Sequence, residues 1–218
     1  MRNRTIAVVW RGTDNIGGWI KDFTFVQTQF PPAPAGVECH EGFLTLATNL
    51  QPDVERLVAK AQGWCRSCPL LFTGHSLGAS LATLSALLYN SKSGGNPSAQ
   101  ILNFGSPRIF NVAGATWLSG GVLDSLNITS HVRVTSMHDP VPHLPPQNSI
   151  VYHYRHSPNE VWETSNDPLK FKQCVGGEDP SCADSMSPID FDVVDHARYM
   201  GLNLLDGVPH GCLFFDGL

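Results

Sequence analysis

Leu70 to Thr73 is a short run that is apolar on both faces, and Leu77, Leu81, Leu84 and Leu88 then recur at i, i+4, i+7 and i+11. The first pattern predicts a fully buried strand, and the second is one stripe of a helix. Thr5 to Trp10 is β-branched and apolar throughout, which predicts another buried strand. From Asp14 to Phe25 the apolar positions Ile16, Trp19, Ile20 and Phe23 fall at helical spacing, although Gly17 and Gly18 weaken a helix there. Val54, Leu57, Val58 and Ala61 mark a helix whose opening or kink is set by Pro52. Gln100–Phe104 and His131–Thr135 predict two more strands, with a weakly helical stretch, Ala113–Leu126, between them. Ile150–Tyr154 and Glu160–Glu163 read as a β pair, Leu169–Asp190 as an aperiodic loop, and Asp195–Leu205 as a last helix. Strands alternating with helices imply a mainly parallel central sheet with helices on both faces, an α/β class. Residues 1–218 read as one domain.

Between the Leu70–Thr73 strand and its helix lies Gly74-His75-Ser76-Leu77-Gly78, a G-x-S-x-G pattern. A strand-to-helix turn that sharp strains its central residue, and the flanking glycines remove the bulk that would forbid it. Ser76 would stand above the sheet at a helix N-terminus. The Leu77 N–H and the positive helix end could there stabilise an oxyanion. The turn Arg11-Gly12-Thr13 closes the Thr5–Trp10 strand and could offer a hydroxyl and a backbone N–H at the same edge of the sheet.

Composition narrows the field of functions. The 218 residues are 42% hydrophobic and 15% charged, ordinary for a globular protein. A net charge of −5 with no basic run argues against nucleic acid as a partner, and no apolar run is long enough for a transmembrane segment. Cys65-x2-Cys68 lacks a second pair nearby, so disulfides fit the six cysteines better than zinc, and Cys174 with Cys182 would close the aperiodic loop. Disulfides and the sequons at Asn3 and Asn127 are compatible with a secreted, extracellular protein. No apolar signal region follows Met1. Either the protein is not secreted or the sequence lacks its true N-terminus, and the second is the expectation, on the family resemblance described below.

A serine nucleophile needs a base, a carboxylate to orient that base, and donors for the oxyanion. Nine histidines compete for the base. His75 is a sequence neighbour of Ser76, so its side chain should point elsewhere. His138, His143, His153 and His156 cluster around Asp139, where loop and strand-end hydrogen bonds would satisfy them. His196 follows both Ser76 and Asp139, which gives the chain order Ser…Asp…His. Asp139 comes after a buried strand, at the edge where catalytic groups gather in parallel sheets, in a loop stiffened by Pro140, Pro142, Pro145 and Pro146. Asp195, adjacent to His196, would orient it poorly.

Four ordered motifs make the resemblance specific: Trp10-Arg-Gly-Thr13, Thr73-Gly-His-Ser-Leu-Gly78, His138-Asp-Pro-Val-Pro-His-Leu-Pro-Pro146 and Asp195-His-Ala-Arg-Tyr-Met-Gly201. His40-Glu-Gly-Phe43, Phe104-Gly-Ser-Pro-Arg108 and His156-Ser-Pro-Asn-Glu-Val-Trp162 agree as well. Together they span nearly the whole chain, which resembles the class 3 lipases, the fungal family of triacylglycerol lipases and feruloyl esterases. The resemblance implies an α/β-hydrolase fold and a catalytic triad of Ser76, Asp139 and His196. It also implies an oxyanion hole at Thr13 and Leu77, and a lid carrying Ile16, Trp19, Ile20 and Phe23. Family members begin with a helix and outer strands before the strand that opens this sequence, and pair the counterpart of Cys212 with a cysteine there. Cys212 is thus expected unpaired, one sheet edge exposed, and the isolated chain unstable, melting below about 60 °C.

The implied function is lipid-ester hydrolysis by a monomer at an oil–water interface, with no cofactor and no metal. An apolar lid favours lipase, because its face gains burial energy at a lipid surface. Lys170–Cys182 is similar to the disulfide-closed loop of the feruloyl esterases, which keeps that activity as the alternative. A non-catalytic scaffold is the reading from another class.

Overall fold

The structure, a computed structural model, describes residues 4–13, 18 and 24–204. The elements in chain order are β1 (Ile6–Trp10), β2 (Gln27–Gln29), β3 (Glu38–His40), α1 (Glu41–Gln62), β4 (Leu70–His75), α2 (Leu77–Ser93), β5 (Ala99–Phe104) and β6 (Phe110–Asn111). They continue with α3 (Val112–Trp117), α4 (Leu123–Ser125), β7 (Ile128–Ser136), β8 (Tyr154–Arg155), β9 (Glu160–Glu163), β10 (Phe171–Gln173), β11 (Arg198–Tyr199) and β12 (Leu202–Asn203). The central sheet runs β1–β4–β5–β7–β9–β10 and is parallel up to β9, with β10 antiparallel at the far edge. A small sheet, β2–β3–β6–β8, and the hairpin β11–β12 complete the described strands.

The buried alternation of β4 and β5 makes the core. Leu70, Phe72, Ala99 and Ile101 face inward at 1% exposure or less, beneath Leu84 and Leu87 of α2. Burying the leucines, Phe72 and Ile101 contributes about 1.5–3 kcal/mol each. Helix α2 is enclosed nearly all round, because α1 lies on its other side. Ser85 Oγ donates across that contact to Gln51 Oε1 at 2.8 Å. The mainly parallel sheet with flanking helices agrees with the alternation read from the sequence.

Several expectations need correction. β1 is not a buried strand: only β4 lies beside it among the described residues, and Val9 is 71% exposed. An apolar composition cannot say whether a strand has neighbours on both sides. Helix α1 does not open at Pro52. It opens at Glu41, capped by His40 Nδ1 accepting from the Phe43 N–H, and continues through Pro52 because Phe43, Leu44, Ala47, Val54 and Val58 bury on both sides of it.

The expected pair of Ile150–Tyr154 with Glu160–Glu163 does not form. Tyr154–Arg155 pairs with Phe110–Asn111, while β9 adds in parallel to β7, and the two segments are separated at Asn159 (φ 67°). The last helix is absent too among the described residues, which end at Leu204. Asp195–Ala197 is a single 3₁₀ turn, and Met200 and Gly201 at φ 55° and 72° turn the chain back into β12.

Cysteines 65 and 68 form one disulfide and Cys174–Cys182 another, which closes a loop as expected, but the start of the segment read as aperiodic, Phe171–Gln173, is strand β10 because it pairs with β9. Cys39 is a buried thiol whose pKa burial pushes up to about 12. Cys212 and the lid positions Ile16, Trp19, Ile20 and Phe23 lie outside the described residues. Among the described residues no helix is long and apolar enough to cross a membrane.

Candidate active site

The parallel register sets Trp10 level with Gly74, Gly74 with Asn103, and Phe104 with Val134. The carboxyl ends of β1, β4, β5 and β7 therefore share one edge, and the connections leaving them carry Thr13, Ser76, Gly105 and Asp139. Ser76 sits at φ 59°, ψ −129°, between β4 and α2. An L-residue held there costs on the order of 1–3 kcal/mol. Packing enforces it: a Cβ on Gly78 would stand 2.2 Å from Trp10 O, so only glycine lets the first turn of α2 press against the end of β1. Asn103 Nδ2 fixes the same turn by donating to Ala79 O at 2.9 Å and to Thr83 Oγ1 at 2.6 Å. The residues of the Arg11–Thr13 turn and the N-terminus of α2 are thereby brought to the same place.

Asp139 is delivered by the turn at the end of β7, where Met137 takes φ 37° and Asp139 N donates to Ser136 O at 2.9 Å. Its Oδ1 accepts from the Val141 N–H at 2.8 Å. Its Oδ2 accepts from two side chains, His196 Nδ1 at 2.8 Å and the Tyr199 hydroxyl at 2.5 Å. The carboxylate can only accept, so the His196 proton sits on Nδ1 and the lone pair on Nε2 is available as a base. Both side chains of the pair are at most 1% exposed. Ser76 Oγ and His196 Nε2 are each buried without a hydrogen-bond partner.

The His75 side chain is engaged with His196. Its ring packs against the His196 ring with centroids 4.5 Å apart, and its Nε2 lies 2.7 Å from His196 O. Burial, then the neighbouring His196, lowers the His75 pKa to about 4. The ring is neutral near pH 7, and Nε2–H donates to the carbonyl. Burial beside the Asp139 charge raises the Tyr199 pKa well above the usual phenol value, so the hydroxyl stays a donor. Gly105 (φ 58°) lies under this cluster, where a Cβ would be 2.9 Å from the Tyr199 hydroxyl, 3.0 Å from His196 Cε1 and 3.1 Å from Asp139 Oδ2.

Asp195 has other work. It accepts from the His138 N–H at 3.2 Å and lies 3.4 Å from Arg198 Nη1, so it ties the His196 segment to the β7 turn. His156 Nε2 is 2.8 Å from Pro142 O, a loop contact of the expected sort. Cys174, Asp179 and Cys182 lie close enough together to suggest a metal, but the two sulfurs are joined and offer no thiolate.

A nucleophile elbow and a buried His–Asp pair occur in many unrelated hydrolases, and the family comparison decides among them. The model of the family described as "Lipase (class 3)" matches residues 7–149. The chain belongs to the class 3 lipases. It is 34% identical over 204 residues to a lipase of Rhizomucor miehei, covering 92% of this chain and 53% of that protein. It is 31% identical over 203 residues to secreted mono- and diacylglycerol lipase 1 of Fusarium solani, covering 90% and 56%. A crystal structure of lipase from Rhizopus microsporus var. chinensis superposes with a TM-score of 0.79 at 30% identity, covering 93% of this chain and 67% of the other. This class 3 lipase chain thus spans about half the length of the R. miehei and F. solani lipases.

Of the residues singled out in the sequence, the structure joins Asp139 to His196 directly and sets Ser76 on the expected elbow at the same edge. Sequence reasoning assigned no part to Tyr199, Gly105 or the His75 ring. Tyr199 stands three residues after His196 within a quoted motif, and Gly105 within another, so their presence was visible and their contacts were not.

Proposed function

We propose that this chain is a serine esterase acting on lipid esters, with Ser76 as nucleophile, His196 as base and then acid, and Asp139 as the group that orients His196. The observation that carries the reading is the buried His196–Asp139 pair at the same sheet edge as a serine held at positive φ on a helix N-terminus. His196 Nε2 takes the Ser76 proton as Oγ attacks the ester carbonyl. The Leu77 N–H, with the N–H and hydroxyl of Thr13, receives the oxyanion. His196 then protonates the departing alcohol, and water releases the acid from Ser76 by the same steps in reverse.

Two observations support lipid as the substrate class. The R. miehei relative is a lipase and the F. solani relative a mono- and diacylglycerol lipase. The segment around His196 also exposes Ile189, Val193, Met200 and Leu202, an apolar rim suited to a lipid surface. The two disulfides, and secretion of the F. solani relative, support an extracellular place of work. A feruloyl esterase is the second reading, favoured by the Cys174–Cys182 loop.

The test compares emulsified triacylglycerol with methyl ferulate, and follows fluorophosphonate labelling of the protein. Triacylglycerol hydrolysis and a label on Ser76 are expected, and Ser76→Ala should lower turnover by about 10⁶ and abolish the label. Cleavage of methyl ferulate alone would move the reading to the second activity. Undiminished turnover in Ser76→Ala would remove the nucleophile.

A further inference from the structure

Four consecutive carbonyls in the loop after Asp139 are each held by a donor. His156 Nε2 lies 2.8 Å from Pro142 O. Arg108 Nη1 donates to His143 O at 2.5 Å and to Pro145 O at 3.0 Å, and Arg108 N donates to Leu144 O at 2.7 Å. A single arginine thus holds three of the four. The loop also contains the 3₁₀ turn Val141–His143, whose first N–H binds the Asp139 carboxylate. Where that carboxylate points depends on where this turn is held.

Arg108 is buried, with its side chain 3% exposed. A guanidinium out of water is stable only when its charge and its fork of donors are satisfied. Glu178 does this bidentately, accepting from Nε at 2.8 Å and from Nη2 at 2.9 Å. Asp184 Oδ1 stands farther off, 3.6 Å from Nη2. Glu178 also accepts from the His156 N–H at 2.8 Å and from Gln147 Nε2 at 3.2 Å, so one carboxylate supports both holders of the loop.

Glu178 reaches this position from the loop closed by Cys174–Cys182. Next to it Asp179 braces the loop from within, accepting from the N–H of Val175 at 2.8 Å and from the N–H and hydroxyl of Ser181 at 2.9 and 2.6 Å. A disulfide across so short a span restricts the Glu178 backbone further. We propose that Arg108 and Glu178 are positioning residues for Asp139, with the disulfide-closed loop seating Glu178 and Arg108 passing that constraint to the carbonyls that fix the aspartate turn. This rests on Asp139 being the carboxylate that orients His196.

The experiment is a double-mutant cycle, read as kcat and KM on a soluble p-nitrophenyl ester and as the rate of fluorophosphonate labelling. Arg108→Lys keeps the charge and loses the fork, and should lower kcat by about 10–100-fold with KM within about twofold, the scale of a small misplacement of a catalytic group. In an Asp139→Asn background the same change should cost less than about twofold, because the orientation it protects is already lost. Glu178→Gln keeps the shape of the side chain, should cost about 3–10-fold in kcat, and serves if Arg108→Lys does not fold. Equal losses in both backgrounds would mean a merely structural role and overturn the proposal. So would full kcat in a folded Glu178→Gln. Failure of the underlying function would look different, as parent activity that survives Ser76→Ala, and would overturn this inference with it.

Discussion

At the scale of single residues, the Asp139 carboxylate is the most heavily used group in the site. Its Oδ2 carries both the His196 and the Tyr199 contacts, while Oδ1 is held by the backbone. A hydrogen bond to an ionised group contributes about 1.5–3 kcal/mol, roughly twice a neutral one. Removing the Tyr199 donor leaves a buried charge short of one partner and free to rotate about its side-chain bonds. Tyr199→Phe fills nearly the same space and isolates that effect. We expect kcat on a soluble ester to fall about tenfold, the lower end of that energy range, with KM little changed. A kcat equal to that of the parent would mean that His196 and the Val141 N–H hold the carboxylate unaided.

At the scale of elements, the strand–turn–helix unit β4–α2 was legible because everything that specifies it is local. An apolar run, two glycines four residues apart and a leucine stripe fix the strand, the turn and the helix in one short stretch. The Asp139 loop was legible in place, by its prolines and the strand before it, but its restraint was not. Arg108 and Glu178 are 70 positions apart, and nothing in either neighbourhood announces the other. The expected last helix failed for the opposite reason: a helical-looking stretch was overruled by a left-handed turn at Met200 and Gly201 that the pattern of apolar positions does not encode. For β1, composition gave the strand but not its place at an edge. The closeness of β1 and α2 yields a prediction at this scale. Gly78→Ala puts a methyl group 2.2 Å from Trp10 O, a contact that only separation of the two elements can relieve. Stability should fall by more than about 3 kcal/mol, as for other severe overpacking, with activity lost alongside. Denaturant unfolding checks the first part, and an unchanged midpoint would mean that β1 can shift without cost.

At the scale of the whole molecule, four of the histidines shifted by burial have a shared consequence. Burial lowers the pKa of His75 to about 4 and of His131 to about 3, and moves His143 and His156 down as well, His156 strongly. The groups facing them do not reverse this. His196 opposes a charge on His75 although Asp139 favours it, and Arg133 opposes one on His131. Around His156 both Arg133 and Arg108 do the same. All four rings therefore hold a proton less readily when folded and take up protons on unfolding below about pH 6.5, the ordinary histidine value. The unfolded state binds more protons in that range, so stability rises with pH there. Their contribution is fully present above about pH 6.5 and is lost as pH falls toward about 4 for His75 and about 3 for His131. Asp179, held near 2 by Ser181 and Val175, extends the loss in the same direction at lower pH. Glu163, raised by burial, works weakly the other way. The thermal midpoint should be level from pH 8 to about 6.5 and then fall steadily to pH 4. His131 offers the cleanest check, because its Nε2 is buried without a partner and an apolar replacement sacrifices no hydrogen bond there. His131→Leu should flatten the acid limb while leaving the midpoint at pH 7.5 within a few degrees. A midpoint that stayed level to pH 4 in the parent, or an acid limb as steep in the variant, would show that these rings are hydrated and charged in the folded protein.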